Sequence, residues 1–240
     1  MARRRKAELV EARALSPSVR SLVFRTADGS PVGHLAGQHL DLIVPTARGL
    51  AYKRAYSIAS APDPERPSRF EVAVTRVEGG PTSEALHTLA PGAQVEIEGP
   101  DGTFVRRSAE RELPALFVAT GTGLAPIRAM LSEEVHAAEG PPLTLLFGCR
   151  TPADFLWGDE LRAWEASCPR LRCHVTLSRP PPGWSGLVGY VQLHAERLAR
   201  ALPGASAYVC GLSAMVDDVV ALLEHEGGLP RRAVHHEIYD

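Results

Sequence analysis

The chain predicts two architectures in succession: an N-terminal antiparallel Greek-key β-barrel, then a doubly wound parallel α/β unit. Three observations carry this expectation. Short runs of Val, Ile, Leu and Phe, broken by Gly, Pro, Asp and Ser, fill about the first hundred of the 240 residues, as closely spaced strands require. After Arg111 the apolar pattern switches to alternating strand and helix periods, the signature of a parallel sheet with crossover helices. Between them lies a charged segment, 106–112, that suits a surface linker. The expected domains are 1–108 and 109–240.

In the first half the strand candidates are 19–25, 39–44, 51–58, 70–77 and 94–97, and 81–89 reads as a short helix. In the second, 113–120 is a continuous apolar run, as a strand buried on both faces should be. A helix over 127–138 follows, then a strand over 143–148, a helix over 158–167 and a strand over 171–178. A helix over 192–201, a strand over 205–210, a helix over 215–225 and a strand over 233–239 complete the alternation. The Pro-rich Arg179-Pro180-Pro181-Pro182-Gly183 is a local loop.

Composition excludes several classes of function. The apolar and charged fractions, 45% and 22%, are those of an ordinary globular protein. A net charge of −2 points to neither nucleic acid nor an anionic membrane. The basic start, Met1-Ala2-Arg3-Arg4-Arg5-Lys6, is followed by no apolar run of signal-peptide length and reads as a solvated tail. No stretch approaches a membrane span, and a cytoplasmic protein is expected; a monomer is expected as well, though no feature of the sequence sets the oligomeric state. The four cysteines, Cys149, Cys168, Cys173 and Cys210, make no disulfide framework in such a chain. Cys168 and Cys173 have the spacing that begins a plant-type iron–sulfur site, but Thr176 stands where the next ligand belongs, so no resident cluster is expected. The scattered histidines, the pair His235-His236 included, support no metal site.

The chemistry concentrates in a few short motifs. Arg54-Ala55-Tyr56-Ser57 offers a cation for a phosphate, a ring for a planar cofactor and a hydroxyl. On a strand Arg54 and Tyr56 share a face and Ser57 points to the other. Gly79-Gly80-Pro81-Thr82-Ser83 is a Gly-rich turn opening a helix. It could cradle a pyrophosphate, or simply cap the helix with Thr82 or Ser83. Thr120-Gly121-Thr122-Gly123-Leu124-Ala125-Pro126 lies between a buried strand and a helix. There glycines admit close backbone approach, and the helix start presents free N–H groups to a pyrophosphate. Pro126 suits a first helical turn.

In this order, and with Cys210-Gly211-Leu212 after them, these motifs resemble the ferredoxin–NADP⁺ reductase family across nearly the whole chain. The resemblance implies a flavoprotein in which FAD and NADP(H), rather than NAD(H), exchange a hydride. Arg54 and Ala55 would line the FAD, with Arg54 on its pyrophosphate. Tyr56 would stack on the isoalloxazine and Ser57 would hydrogen-bond near flavin N5. Gly80, Thr82 and Ser83 would bind FAD phosphates; Thr120, Gly121, Thr122 and Gly123 would bind the dinucleotide pyrophosphate. Cys210 and Gly211 would lie at the nicotinamide. His236-Glu237-Ile238-Tyr239 resembles the plant-type ending: Tyr239 would cover the second flavin face, and Glu237 would relay a proton beside Ser57. Asp240 departs from that pattern, in which the Tyr is last. Ser178, Arg179, Tyr190 and Gln192 match the plant-type 2′-phosphate and adenine contacts, with Arg150 a further cation.

The implied activity is that of a ferredoxin–NADP⁺ reductase, with a separate ferredoxin-type one-electron partner. Two alternatives stand beside it: an NADH-dependent reductase component of an oxygenase or cytochrome P450 system, and a non-catalytic FAD-binding electron-transfer subunit. Arg106, Arg107, Arg111, Arg231 and Arg232 are read as solvated surface, though they could face an acidic partner.

Overall fold

A computed structural model describes residues 4–45, 51–137 and 139–239; Met1, Ala2, Arg3, the terminal Asp240 and Ala138, the expected end of the 127–138 helix, lie outside the described residues. Six strands, β1 (Arg5–Ala14), β2 (Val19–Thr26), β3 (His39–Pro45), β4 (Ala51–Ser57), β5 (Arg69–Thr75) and β6 (Gln94–Asp101), form an antiparallel sheet. Its order is β4-β3-β6-β1-β2-β5. The two ends meet: Ile58, just past β4, bridges Val72 of β5, and Ala59 donates its N–H to the Glu71 carbonyl at 2.7 Å. Closure removes the free edges an open sheet would expose. Inside lie Leu9, Leu22, Phe24, Leu40, Leu42, Ile58, Phe70, Val72, Leu86 and Ile97, with Phe24 stacked on Phe70 at 5.4 Å. Helix α1 (Pro81–Thr88) packs against β3, β4 and β5.

β1 takes in Arg5 and Lys6, the end of the expected solvated tail, and residues 7–14, for which no strand was expected. Arg5 and Lys6 pair with Ile97 and Glu96, and only Ala7 and Leu9 face fully inward before a bulge between Leu9 and Glu11. Just before β1 Arg4 pairs with Glu96 and Glu98 at 3.2 and 2.9 Å, and within it Glu8 meets Arg25 at 3.5 Å. Residues 94–101 extend past the expected end because Glu96 and Glu98 lie on the solvated face.

The second sheet is parallel, in the order β10-β9-β8-β7-β11-β12. Its elements run β7 (Ala115–Thr120), α2 (Leu124–Glu134), β8 (Leu143–Cys149), α3 (Gly158–Ser167), β9 (Leu171–Leu177), β10 (Leu187–Val188), α4 (Gln192–Arg200), β11 (Ser206–Leu212), α5 (Ser213–His225) and β12 (Val234–Tyr239). One face packs α2 and α3 on Phe117, Leu145 and Phe147. The other packs α4 and α5 on Leu116, Val118 and Leu146. The short β10 had no counterpart in the sequence reading. Helix α2 starts at Leu124 rather than 127, putting Pro126 in its first turn, where the missing N–H costs nothing.

The α2 side of the core runs on into the barrel, joining Val19, Ala36, Ala59 and Ala73 to Leu124, Ile127 and Met130. The segment expected as a surface linker contributes a buried cation here. Arg106, 4% exposed, donates to Glu134 at 3.0 Å and to the Leu113 carbonyl at 2.7 Å, and lies over the Tyr208 ring. It is therefore unavailable to an external partner. Among the described residues no helix is long and apolar enough to cross a membrane.

Candidate active site

The two sheets meet where β4 ends against β12. Ser57, paired with His39 across the β3–β4 ladder, is 7% exposed and donates its hydroxyl to Glu237 at 2.8 Å. Glu237 pairs in register with Cys210 of the neighbouring β11. Ser57, Cys210 and Glu237, distant in sequence, are thus brought to one point. Burial pushes the Glu237 carboxyl up, the Ser57 hydrogen bond and the charge of His39 opposing it only in part. Cys210 is fully buried, and that burial, reinforced by Glu237, holds its thiol well above the ordinary value. A neutral thiol shapes the site and is no nucleophile. The Tyr239 ring packs on the core, its hydroxyl buried beside Ser57 and Cys210. Burial, then the adjacent Cys210 and Glu237, pushes its phenol up.

On β4, Tyr56 lies opposite Leu40 and Arg54 opposite Leu42, the shared face expected from strand alternation. Tyr56 packs at the edge of the barrel core, and burial raises its phenol to about 12. Arg54 and Ala55 are exposed. Beside this strand, Gly79 takes a φ of +71° with open space around it. The N-cap of α1 is Gly80, with Pro81 following it and no side-chain cap, so neither Thr82 nor Ser83 caps the helix. Ser83 instead braces the turn, accepting from the Val77 N–H at 3.1 Å and donating to the Gly80 carbonyl at 3.0 Å. The Thr82 hydroxyl is buried without a partner among the described residues.

Across the seam, Gly121, Thr122 and Gly123 form a tight turn between β7 and α2. Gly121 has a φ of +53° and nothing near a would-be side chain, leaving its backbone open to a ligand. A Cβ on Gly123 would run into the Cys210 carbonyl, and one on Gly211 would strike Thr120 and Met215. These two glycines therefore let the turn lie flat against β11. Thr122 reaches the barrel at Thr75, hydroxyl to hydroxyl 3.4 Å.

At the C-terminal ends of β8 and β9, the Arg179 N–H donates to the Arg150 carbonyl at 2.9 Å and Ser178 to Cys149 at 3.1 Å. Both arginines are exposed. Gly189 bonds Leu177, which brings Tyr190, 70% exposed, alongside. Gln192 donates to Asp218 at 3.1 Å. Ser57, Cys210, Glu237, Thr122 and Gly123 thus meet at the barrel–sheet seam. Arg150, Ser178, Arg179 and Tyr190 lie at the C-terminal edge of the parallel sheet, where ligands bind in such folds, and Arg54, Gly80, Thr82 and Ser83 lie on the barrel.

The cradle fits the implied groups. An orphaned hydroxyl and an open glycine turn stand where one pyrophosphate is expected, and a second glycine turn at a helix start stands where the other is. The sequence reading missed a charge cluster at the seam. Arg128 of α2 donates to the Ala59 carbonyl at 2.7 Å, to Glu71 at 2.8 Å and to both Glu160 oxygens at 2.5 and 2.9 Å. It lies 4.7 Å from the Trp157 ring centre, and Trp157 donates to Glu71 at 3.2 Å. The only signal of this in the sequence was a cation on the apolar side of α2. Among the described residues no cluster could hold a metal ion.

Residues 6–105 match the oxidoreductase FAD-binding domain family and residues 117–221 the oxidoreductase NAD-binding domain family. The chain is 48% identical to ferredoxin–NADP reductase B of Sorangium cellulosum, over 98% of this chain and 97% of that one. It is 32% identical to the ferredoxin–NAD(+) reductase component of the alkene monooxygenase system of Xanthobacter autotrophicus, over 95% of this chain and 68% of that one. The chain spans 64%, 65% and 68% of the lengths of three oxygenase-system relatives. The cytochrome b5 reductase domain of Ulva prolifera nitrate reductase superposes with a TM-score of 0.82 at 27% identity, over 98% of this chain and 97% of that one. The chain is a flavin-dependent oxidoreductase that belongs to the ferredoxin reductase family.

Proposed function

We propose that this protein is an FAD-dependent ferredoxin–NADP⁺ reductase, with 1–108 holding FAD, 109–240 holding NADP(H), and a separate ferredoxin-type protein as its one-electron partner. When bound, FAD and NADPH supply the redox chemistry: hydride passes between nicotinamide C4 and flavin N5, and the electrons leave or arrive singly. The chain's own residues orient these groups and exclude water.

Arg54 offers its exposed guanidinium to the FAD pyrophosphate, with the Gly79–Gly80 turn, Thr82 and the Ser83-braced helix start beside it. Tyr56 supplies one stacking face and Tyr239 the other. Ser57 would present its hydroxyl oxygen toward flavin N5. Glu237, whose carboxyl stays protonated to higher pH than a free one, passes a proton through Ser57. Cys210, neutral and buried, sets the floor of the nicotinamide position. Gly121, Thr122 and Gly123 receive the dinucleotide pyrophosphate. Arg150 and Arg179, side by side with Ser178, Tyr190 and Gln192, take the adenosine 2′-phosphate, for which paired guanidinium forks are suited.

The Ser57–Glu237 hydrogen bond next to Cys210 carries this reading, because it joins the barrel strand to the dinucleotide sheet at the reacting position. The test is anaerobic stopped-flow reduction of the FAD-loaded protein with NADPH and with NADH, followed by addition of an oxidised ferredoxin. The reading expects rapid flavin bleaching, NADPH preferred, and reoxidation by ferredoxin. A strong preference for NADH would favour the second reading, an NADH-dependent oxygenase reductase component, which the alkene monooxygenase relative recommends.

A further inference from the structure

Arg128 sits one turn into α2, directly behind the Gly121–Gly123 turn, and it is 9% exposed. A guanidinium has five N–H donors in a rigid plane. Here they divide between the two halves of the molecule. Nη1 points into the barrel, to the Ala59 carbonyl and Glu71; Nε and Nη2 form a two-pronged pair with Glu160 of α3. The plane lies over Trp157, which holds the other Glu71 oxygen.

The barrel partners are parts of the flavin strand's own support. Ala59 follows Ser57 by two residues, and its N–H is held by the Glu71 carbonyl at 2.7 Å. The Glu71 N–H is held in turn by the Ser60 hydroxyl at 3.1 Å. On the barrel side the apolar part of the seam sets Ala36, Ala59 and Ala73 beside Val19 and Phe104, and such apolar contacts are non-directional. A planar fork with four directional bonds resists sliding.

We propose that Arg128 is a positioning residue for hydride transfer: it fixes the dinucleotide turn relative to the Ser57 strand and so sets the approach of nicotinamide to flavin. This rests on the flavin–dinucleotide reading above. The residue touches neither cofactor site. It acts through Ala59 on one side and through the start of α2 on the other.

The test compares wild type, Arg128→Lys, which keeps the charge but loses the fork, and Glu160→Gln, which weakens only the α/β side. Three quantities are read: single-turnover flavin reduction by NADPH and by 4-deuterated NADPH, FAD and NADP⁺ affinity, and hydrogen exchange of the flavin-free proteins over residues 57–60 and 121–124. We expect reduction to slow by about 10- to 100-fold in Arg128→Lys, the scale for a misplacement near 1 Å, and by less in Glu160→Gln. A full deuterium isotope effect should persist and both affinities should be little changed. In the flavin-free variant, 57–60 and 121–124 should lose protection together. Wild-type reduction by folded, loaded Arg128→Lys overturns the inference, as does slowing that only tracks lost FAD or NADP⁺ affinity. If wild type itself is reduced by neither dinucleotide, the functional reading fails instead. The exchange experiment then still decides whether Arg128 couples the two segments, and unchanged protection refutes it.

Discussion

Ser57 and Glu237, 180 positions apart, share a 2.8 Å hydrogen bond that closes the seam between the barrel and the parallel sheet. The serine ends β4 and the glutamate lies on the edge strand β12, so neither local segment predicts the other's position. Their meeting depends on the parallel register that sets Glu237 beside Cys210, and on the closure of the barrel immediately after Ser57.

Dinucleotide choice should depend on Arg150 and Arg179. Each charge-assisted contact to a phosphate contributes about 1.5–3 kcal/mol. Replacing either arginine with Ala is expected to raise the KM for NADPH by about 10- to 100-fold while leaving the KM for NADH nearly unchanged. Steady-state kinetics with both dinucleotides measures this. An equal loss with both would place the arginines elsewhere than at the 2′-phosphate.

Glu71 should make the stability of the seam pH-dependent. Burial pushes its carboxyl up, but Arg128, Ser21, Trp157 and Arg13 outweigh that and hold it below its ordinary 4.5. The charged form therefore stabilises the folded state above that value, and the contribution disappears as pH falls through the lowered folded value. Glu71→Gln is expected to cost about 3 kcal/mol at pH 7, because it leaves Arg128 short of a buried partner. Urea unfolding at a series of pH values should show the gap to wild type closing at acid pH. A gap independent of pH would mean that the carboxylate's charge is not what matters.

The thiols should be sluggish. Burial raises Cys149 and Cys173 to about 12 and Cys210 well above the ordinary value. Alkylation by iodoacetamide at pH 8, followed by mass spectrometry, should label these three at least about a hundredfold more slowly than the unfolded chain. Rapid labelling of Cys210 in the folded protein would show a reactive thiolate and contradict its role as a neutral wall.

Much of this was legible in the sequence, and the parts that were not share a physical cause. The buried parallel strands announce themselves because both faces are apolar, as the fully buried Leu116, Phe117 and Val118 show. The glycine turns are legible because only glycine tolerates the close approach of Gly123 to β11. β1 was missed because its charges, Arg5, Lys6, Glu8, Glu11 and Arg13, outnumber its inward residues. Arg106 lies in a charged run and Arg128 is a lone cation in an apolar helix, and neither local pattern names a partner. Their carboxylates, Glu134 and Glu71, lie 28 and 57 positions away, and only the fold brings each pair together. Of the two readings of the Gly79–Ser83 turn, a cap by Thr82 or Ser83 drops out, because the helix starts at Pro81 as expected and leaves the cap to Gly80.

The most direct test of the account is single-turnover reduction of FAD-loaded Ser57→Ala, Glu237→Gln and the double variant by NADPH. Each single change should slow reduction by about 10-fold or more, with FAD retained. The double variant should be little slower than the worse single one, as residues acting as a unit behave. Wild-type rates in both single variants would contradict the assignment of the reacting position to the Ser57–Glu237 pair.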